Sequence, residues 1–285
     1  MRNFTIIILA LLPILNMYSQ MEKSARYPIG WNKLQQIDGE AGEKVINGLQ
    51  DFSPELANLI IEYAFGSVYS LDKLPNKSKE LVALSSLITQ RAIPEMKVHF
   101  NGALNTGNTI NEVKEVILQM SAYVGFPKSI CAMNTFREVL EERKKQGIDD
   151  IEGKMFQTDD LTNLLEKGSK ELALLDSMQE HKLRENFESF SPELVQFILE
   201  TGYGEIYSRK NLDKKSRQTV TIAALATLGT AAAQLKFHIK AGLNIGLTVE
   251  EIKEIMLLIS VYSGFPSAIN GMAILKEVVN DANTL

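Results

Sequence analysis

Apolar positions along this chain recur at helical spacing almost throughout. Between residues 54 and 65 they fall at Leu56, Leu59, Ile60 and Tyr63, on one face of a helix that Gly66 is expected to end. Asn76 or Ser78 can open the next helix, whose Leu81, Leu84, Leu87 and Ile88 again share a face. Pro94 suits the first turn of a third helix, which Gly107 closes. Thr109 with Glu112, and Thr248 with Glu251, have the spacing of capping boxes, in which hydroxyl and carboxylate each take an early backbone N–H. After the Gly-Phe-Pro turn at 125–127 a last helix runs to about residue 142. Nothing alternates in the manner of strands, so the predicted class is all-α.

The pattern is written twice. SPELANLIIEYAFGSVYS at 53–70 returns as SPELVQFILETGYGEIYS at 191–208. VHFNGALNTGNTINEVKEVILQMSAYVGFP then returns as FHIKAGLNIGLTVEEIKEIMLLISVYSGFP. Gly30, Leu34 and Asp38 match Gly168, Leu172 and Asp176 at the same offset, so unit 1 covers 26–143 and unit 2 covers 164–281. A repeat this long is a folding unit, and two domains suit 285 residues. The offset grows by one residue between positions 91 and 98, just before a histidine that both copies keep. The charged stretch at 144–163, with Gly147 and Gly153, reads as an exposed linker with frayed helix at its edges.

Charge and cysteine usage narrow the function. The net charge of −5 is spread along the chain, and no basic cluster interleaves with aromatics, so nucleic acid is not an expected partner. Arg2, the apolar residues 6–15 and Ser19 have the layout of a signal peptide over 1–20, with a buried N-terminal helix as the alternative. That stretch is shorter than the roughly 20 residues that span a bilayer, and no cysteine follows it for lipid attachment. The expectation is a periplasmic or secreted protein with no stable membrane anchor. Cys131 is the only cysteine, which excludes both an intramolecular disulfide and a CxxC redox pair.

His99, in KVHFNGALN, and His238, in KFHIKAGLN, hold equivalent places in the two units. Imidazole titrates near neutrality, so the pair reads either as acid–base groups or as buried rings that bond the same backbone group in each copy. His181 has no counterpart and reads as a solvated helix residue.

These strings resemble the carboxymuconolactone decarboxylase family. The likeness rests on H-x-x-x-A-L-N-x-G-x-T-x-x-E followed by Y-x-G-F-P, and on SKELVAL and SRQTVTI ahead of the histidine helices. It implies two tandem AhpD-like units of about five to six helices each. The alkylhydroperoxidase-like branch of that family uses a CxxC pair; Ala92 and Glu95, and Ala231 and Gln234, stand in those positions here. Without a thiolate there is no nucleophile for peroxide, so peroxidase activity is disfavoured and the likeness is to the decarboxylase branch.

What the resemblance implies is a cofactor-free carboxy-lyase with no metal, acting on a small carboxylated lactone or related acid. Glu80 matches the family glutamate and would orient His99 as proton donor or enolate stabiliser, whereas unit 2 has Gln218, which carries no charge. Arg217 and Lys79 are candidates for gripping a substrate carboxylate, or else solvated residues at helix starts. Tyr123 and Tyr262 could present hydroxyls to the site, though packing suits them too. The alternatives are a different enzyme on the same scaffold, or a binding or scaffold protein. Single-unit members typically form rings, so a homo-oligomer of three two-unit chains is expected.

Overall fold

The computed structural model describes residues 23–155 and 162–283; the candidate signal segment lies outside the described residues. Among them unit 1 comprises α1 (Arg26–Ile37), α2 (Glu40–Gln50), α3 (Pro54–Leu59), α4 (Asn76–Gln90), α5 (Ile93–Asn105), α6 (Ile110–Val124) and α7 (Phe126–Lys145). Unit 2 repeats the order as α8 (Leu164–Leu175), α9 (Gln179–Phe187), α10 (Pro192–Phe197), α11 (Lys214–Leu228), α12 (Ala232–Asn244), α13 (Val249–Tyr262) and α14 (Phe265–Asn283). No strand occurs among the described residues.

α3 does not stop where Gly66 suggested, and α10 behaves alike. Each runs on as a π-helix, over Ile60–Val68 and Ile198–Tyr207. Gly66 lies inside that segment because another backbone comes close, since a Cβ there would stand 2.6 Å from the Arg26 carbonyl oxygen. Gly30 of α1 faces the same seam, where a Cβ would fall 1.9 Å from the Ile61 carbonyl oxygen. Gly168 and Gly204 repeat the arrangement between α8 and its π-helix. The glycines thus permit helix-on-helix contact and do not end a helix.

Both capping boxes form. Thr109 Oγ1 accepts from the Glu112 N–H at 3.2 Å while Glu112 accepts from the Thr109 N–H at 2.8 Å, and Thr248 and Glu251 do the same. The extra residue of unit 2 lies in the turn between α11 and α12, where Gly229 takes the left-handed conformation that Arg91 takes in unit 1. The beginning of the linker is tied down, because the N–H groups of Ile110 and Asn111 donate to the carbonyls of Ile151 and Glu152.

The middle of the molecule is built from α4 and α11, which are buried on every side from Lys79 to Thr89 and from Arg217 to Ala226. A helix without a wet face needs neighbours all round, and neither unit supplies enough of them alone. One core accordingly joins Leu34, Ile61 and Phe65 of unit 1 to Ile222, Ile255 and Ile259 of unit 2. A second, around Leu81, Phe100 and Phe136 of unit 1, takes in Val220 and Ala224. The units are halves of one packed body.

Candidate active site

In unit 1 four elements converge on His99 of α5. Its Nδ1 hydrogen-bonds Glu80 Oε2 of α4 at 3.0 Å. The π-helix leads directly into Tyr69, whose hydroxyl donates to Glu80 Oε1 at 2.8 Å. Asp38, which caps α1, places Oδ1 3.8 Å from the same Nδ1. Asn105 fixes that cap by donating to the Ile37 carbonyl at 2.9 Å, as Asn244 does to Leu175 in unit 2.

The fifth group comes from the other unit. Tyr262 of α13 sets its ring edge-on to His99, with centroids 5.0 Å apart, and its hydroxyl meets that of Tyr69 at 2.5 Å. Tyr69 gives its hydrogen to Glu80, so Tyr262 is the donor to Tyr69. Room for the two carboxylates comes from Gly102, where a Cβ would lie 2.4 Å from Glu80 Oε2 and 2.6 Å from Asp38 Oδ1.

The electrostatics follow from burial and these neighbours. Burial disfavours imidazolium at His99, but the charges of Glu80 and Asp38 and the Glu80 hydrogen bond outweigh it and lift His99 to about 9. Burial also raises the Asp38 carboxyl, to about 8, with Glu80 adding to the rise and His99 opposing it. Burial, then the Glu80 charge, hold the phenols of Tyr69 and Tyr262 above their usual range. Asp38, Glu80 and His99 are the one group of three such donors found together among the described residues, all within 4.8 Å of one another.

Unit 2 keeps the geometry and changes the charge. His238 Nδ1 donates to Gln218 Oε1 at 2.9 Å, and Gln218 Nε2 donates to the Tyr207 hydroxyl at 2.8 Å. Tyr123 of unit 1 brings its hydroxyl to 3.4 Å from His238 Nε2. With no carboxylate beside it, burial lowers His238 to about 3. Asp176, the counterpart of Asp38, turns outward to Lys240 at 3.3 Å and Lys182 at 3.7 Å. Ala241 occupies the place of Gly102.

Two expectations need correction. Lys79 and Arg217 are neither solvated nor open to a ligand: both are sealed in the core as partners of the opposite unit. Lys79 Nζ meets Glu254 at 3.1 Å and donates to the carbonyls of Tyr69 and Leu71. Arg217 meets Glu115 at 3.0 Å and donates to Gln119 Oε1 and the Arg209 carbonyl. The two ion pairs are the same contact made twice across the pseudo-twofold relation between the units. His181 is exposed beside Glu185, as expected.

Asp38, Tyr69 and Gly102 were not singled out from the sequence. The signal that points to them is the repeat: Asp38 and Tyr69 recur as Asp176 and Tyr207, while Gly102 changes to alanine together with the change of Glu80 to glutamine.

The chain matches the model of the carboxymuconolactone decarboxylase family over residues 54–138 and again over 192–277. It is 37% identical over 123 residues to 4-carboxymuconolactone decarboxylase of Acinetobacter baylyi, covering 43% of this chain and 92% of that protein. It is 30% identical over 111 residues to nitrosuccinic acid decarboxylase of Metarhizium robertsii, covering 39% of this chain and 78% of that protein. With both matched segments carrying the histidine helix, its capped successor and the Gly-Phe-Pro turn, the chain belongs to the carboxymuconolactone decarboxylase family.

Proposed function

We propose that unit 1 is the working site of a cofactor-free carboxy-lyase that acts on a small carboxylated lactone or a related acid. The observation that carries this reading is the buried Glu80–His99 pair, with imidazolium favoured at neutral pH and Nδ1 committed to Glu80. Nε2 makes no hydrogen bond among the described residues, so its proton is available to a substrate. Further support comes from the two relatives, whose names describe loss of CO2 from acids that contain an electron-withdrawing lactone or nitro group.

In the proposed reaction the bond between substrate carbon and carboxylate breaks, and its electron pair moves into the adjoining carbonyl or equivalent sink. The Nε2–H of His99 stabilises the oxygen that becomes negative or delivers its proton to the carbon, so one proton is taken up for each CO2 released. Glu80 fixes the tautomer and balances the imidazolium. Tyr262 packs its edge against the ring and holds Tyr69, which in turn holds Glu80. Lys79 and Arg217 keep the units together, so recognition of the substrate anion falls to His99 itself. His238, Gln218 and Tyr123 form a neutral counterpart, which favours a supporting role for unit 2.

The test is a spectroscopic assay on carboxymuconolactone beside a panel of lactone, keto and nitro acids. Turnover that is lost in His99→Asn supports the reading, and no turnover on any substrate removes it. Two further proposals accompany it. Residues 1–20 direct export, which N-terminal sequencing of the protein secreted by its source would test. Three chains associate, using apolar side chains exposed in equivalent places on both units, such as Phe52 and Phe190, or Phe126 and Phe265. A monomer in sedimentation at micromolar concentration would refute that assembly.

A further inference from the structure

The Asp38 carboxyl group has no role in the reaction just outlined, yet it is buried against both members of the catalytic pair. Its Oδ1 has no hydrogen-bond partner, although it sits in the protein interior 3.8 Å from His99 Nδ1. A Cβ on Gly102 would touch this oxygen and Glu80 Oε2 together, so the two carboxyl groups share one small hollow. Two carboxylates in such a space repel each other, so near neutrality one is favoured to keep its proton. Hydrogen bonds decide which. Glu80 accepts from Tyr69 at one oxygen and His99 at the other, whereas Asp38 Oδ1 accepts from nothing.

We propose that Asp38 is a positioning residue of unit 1, a neutral acid that lets Glu80 keep its charge on His99 and leaves the site without net charge for an anionic substrate. This inference deepens the lyase reading and rests on it. With Asp38 neutral, Glu80 and His99 cancel, and a substrate carboxylate enters without repulsion. Once Asp38 ionises, a negative charge stands within the same hollow and opposes that entry. The groups facing Asp38 are Glu80 from α4, His99 from α5, Tyr69 from the end of the π-helix and Tyr262 from α13.

Unit 2 serves as an internal control. There the glutamate is Gln218, a buried Ala241 stands in the place of Gly102, and Asp176 turns toward Lys240 and Lys182. All three features of the unit 1 cluster are absent together. Burial holds Asp38 up to about 8, whereas Asp176 stays below the usual carboxylate value: burial opposes this, and the Met178 N–H and Lys240 outweigh it.

The decisive experiment is infrared difference spectroscopy of the full chain as pH rises from neutral to alkaline. The wild type should lose the C=O stretch of a buried protonated carboxylic acid as Asp38 ionises, and Asp38→Asn should lack that band. No such band in the wild type, or the same band in Asp38→Asn, overturns the proposal whatever the turnover. The band needs no variant to be seen, so a failure of Asp38→Asn to fold does not block the test. On a turned-over acid, KM of the wild type should rise between about pH 7 and about pH 9, as Asp38 ionises and His99 loses its proton. In Asp38→Asn only the titration of His99 remains, and without the Asp38 charge its midpoint should lie lower, so the profile should shift to lower pH. An unchanged KM profile in Asp38→Asn also overturns it, because a merely structural residue would not move the profile. Absence of turnover on every acid defeats the lyase reading alone, since the infrared band still reports on Asp38.

Discussion

The two histidine sites have the same skeleton and opposite chemistry. Each has a histidine on the fifth helix of its unit, a tyrosine delivered by a π-helix and a second tyrosine lent by the other unit. In unit 1 the partner of Nδ1 is a carboxylate, and His99 is drawn toward imidazolium, with both nitrogens as donors. In unit 2 the partner is an amide, and burial meets no opposing charge, so His238 stays neutral and its Nε2 can only accept. One oxygen exchanged for nitrogen thus turns a proton donor into an acceptor. A shared fold sets where the imidazole stands, while the charge beside it sets what it can do.

The sharpest way to break this contrast is to remove each histidine. His99→Asn should lower kcat/KM by about 10²–10⁴-fold, the usual worth of a positioned acid–base group, while His238→Asn should leave it within a few-fold. Equal losses would show that the sites are not divided as described.

The symmetric ion pairs give the next largest effect. Glu254→Gln leaves Lys79 buried without its carboxylate, and Glu115→Gln does the same to Arg217, so each should cost about 3–5 kcal/mol in urea unfolding. Each carboxylate has further partners, Glu115 binding Arg209 at 2.6 Å and Glu254 accepting from the N–H groups of Lys73 and Leu74.

The contrast can also be exchanged between units. Glu80→Gln removes the largest influence raising His99, so its titration in histidine-detected NMR should fall from about 9. Gln218→Glu should raise His238 from about 3.

Stability should depend on pH in opposite senses for the two rings. The folded His99 binds its proton more tightly than an unfolded histidine, so its contribution is complete below 6.5 and is lost as pH rises through about 9. His238 refuses a proton that the unfolded chain accepts, so stability falls as pH drops from 6.5 to about 3. His238→Asn should flatten the acid side of a thermal-unfolding profile, and His99→Asn the alkaline side. The smallest effect belongs to the caps, where Thr109→Ala and Thr248→Ala should each cost about 1 kcal/mol.

Much of this was legible along the chain. The helical periodicity, the duplication, both capping boxes and the pairing of His99 with His238 depend on spacings of a few residues or on direct repetition. The Glu80-to-Gln218 difference was visible by the same comparison, and it is the difference that separates the two rings. The role of Gly66 is hidden in the sequence, because a glycine that permits close contact looks the same as one that ends a helix. Lys79 and Arg217 were misread because nothing local says that the start of a helix is buried by a second unit.

The helices, their order, their doubling and the contrast between Glu80 and Gln218 are written in the chain, since these follow from short-range pattern, repetition and chemical type. The packing of one unit on the other sets the rest: each site borrows a tyrosine from the opposite unit, the two basic residues bind the units together, and Asp38 turns inward while Asp176 turns out. Those outcomes depend on which surfaces meet across the shared core and how much room a single methyl group leaves there.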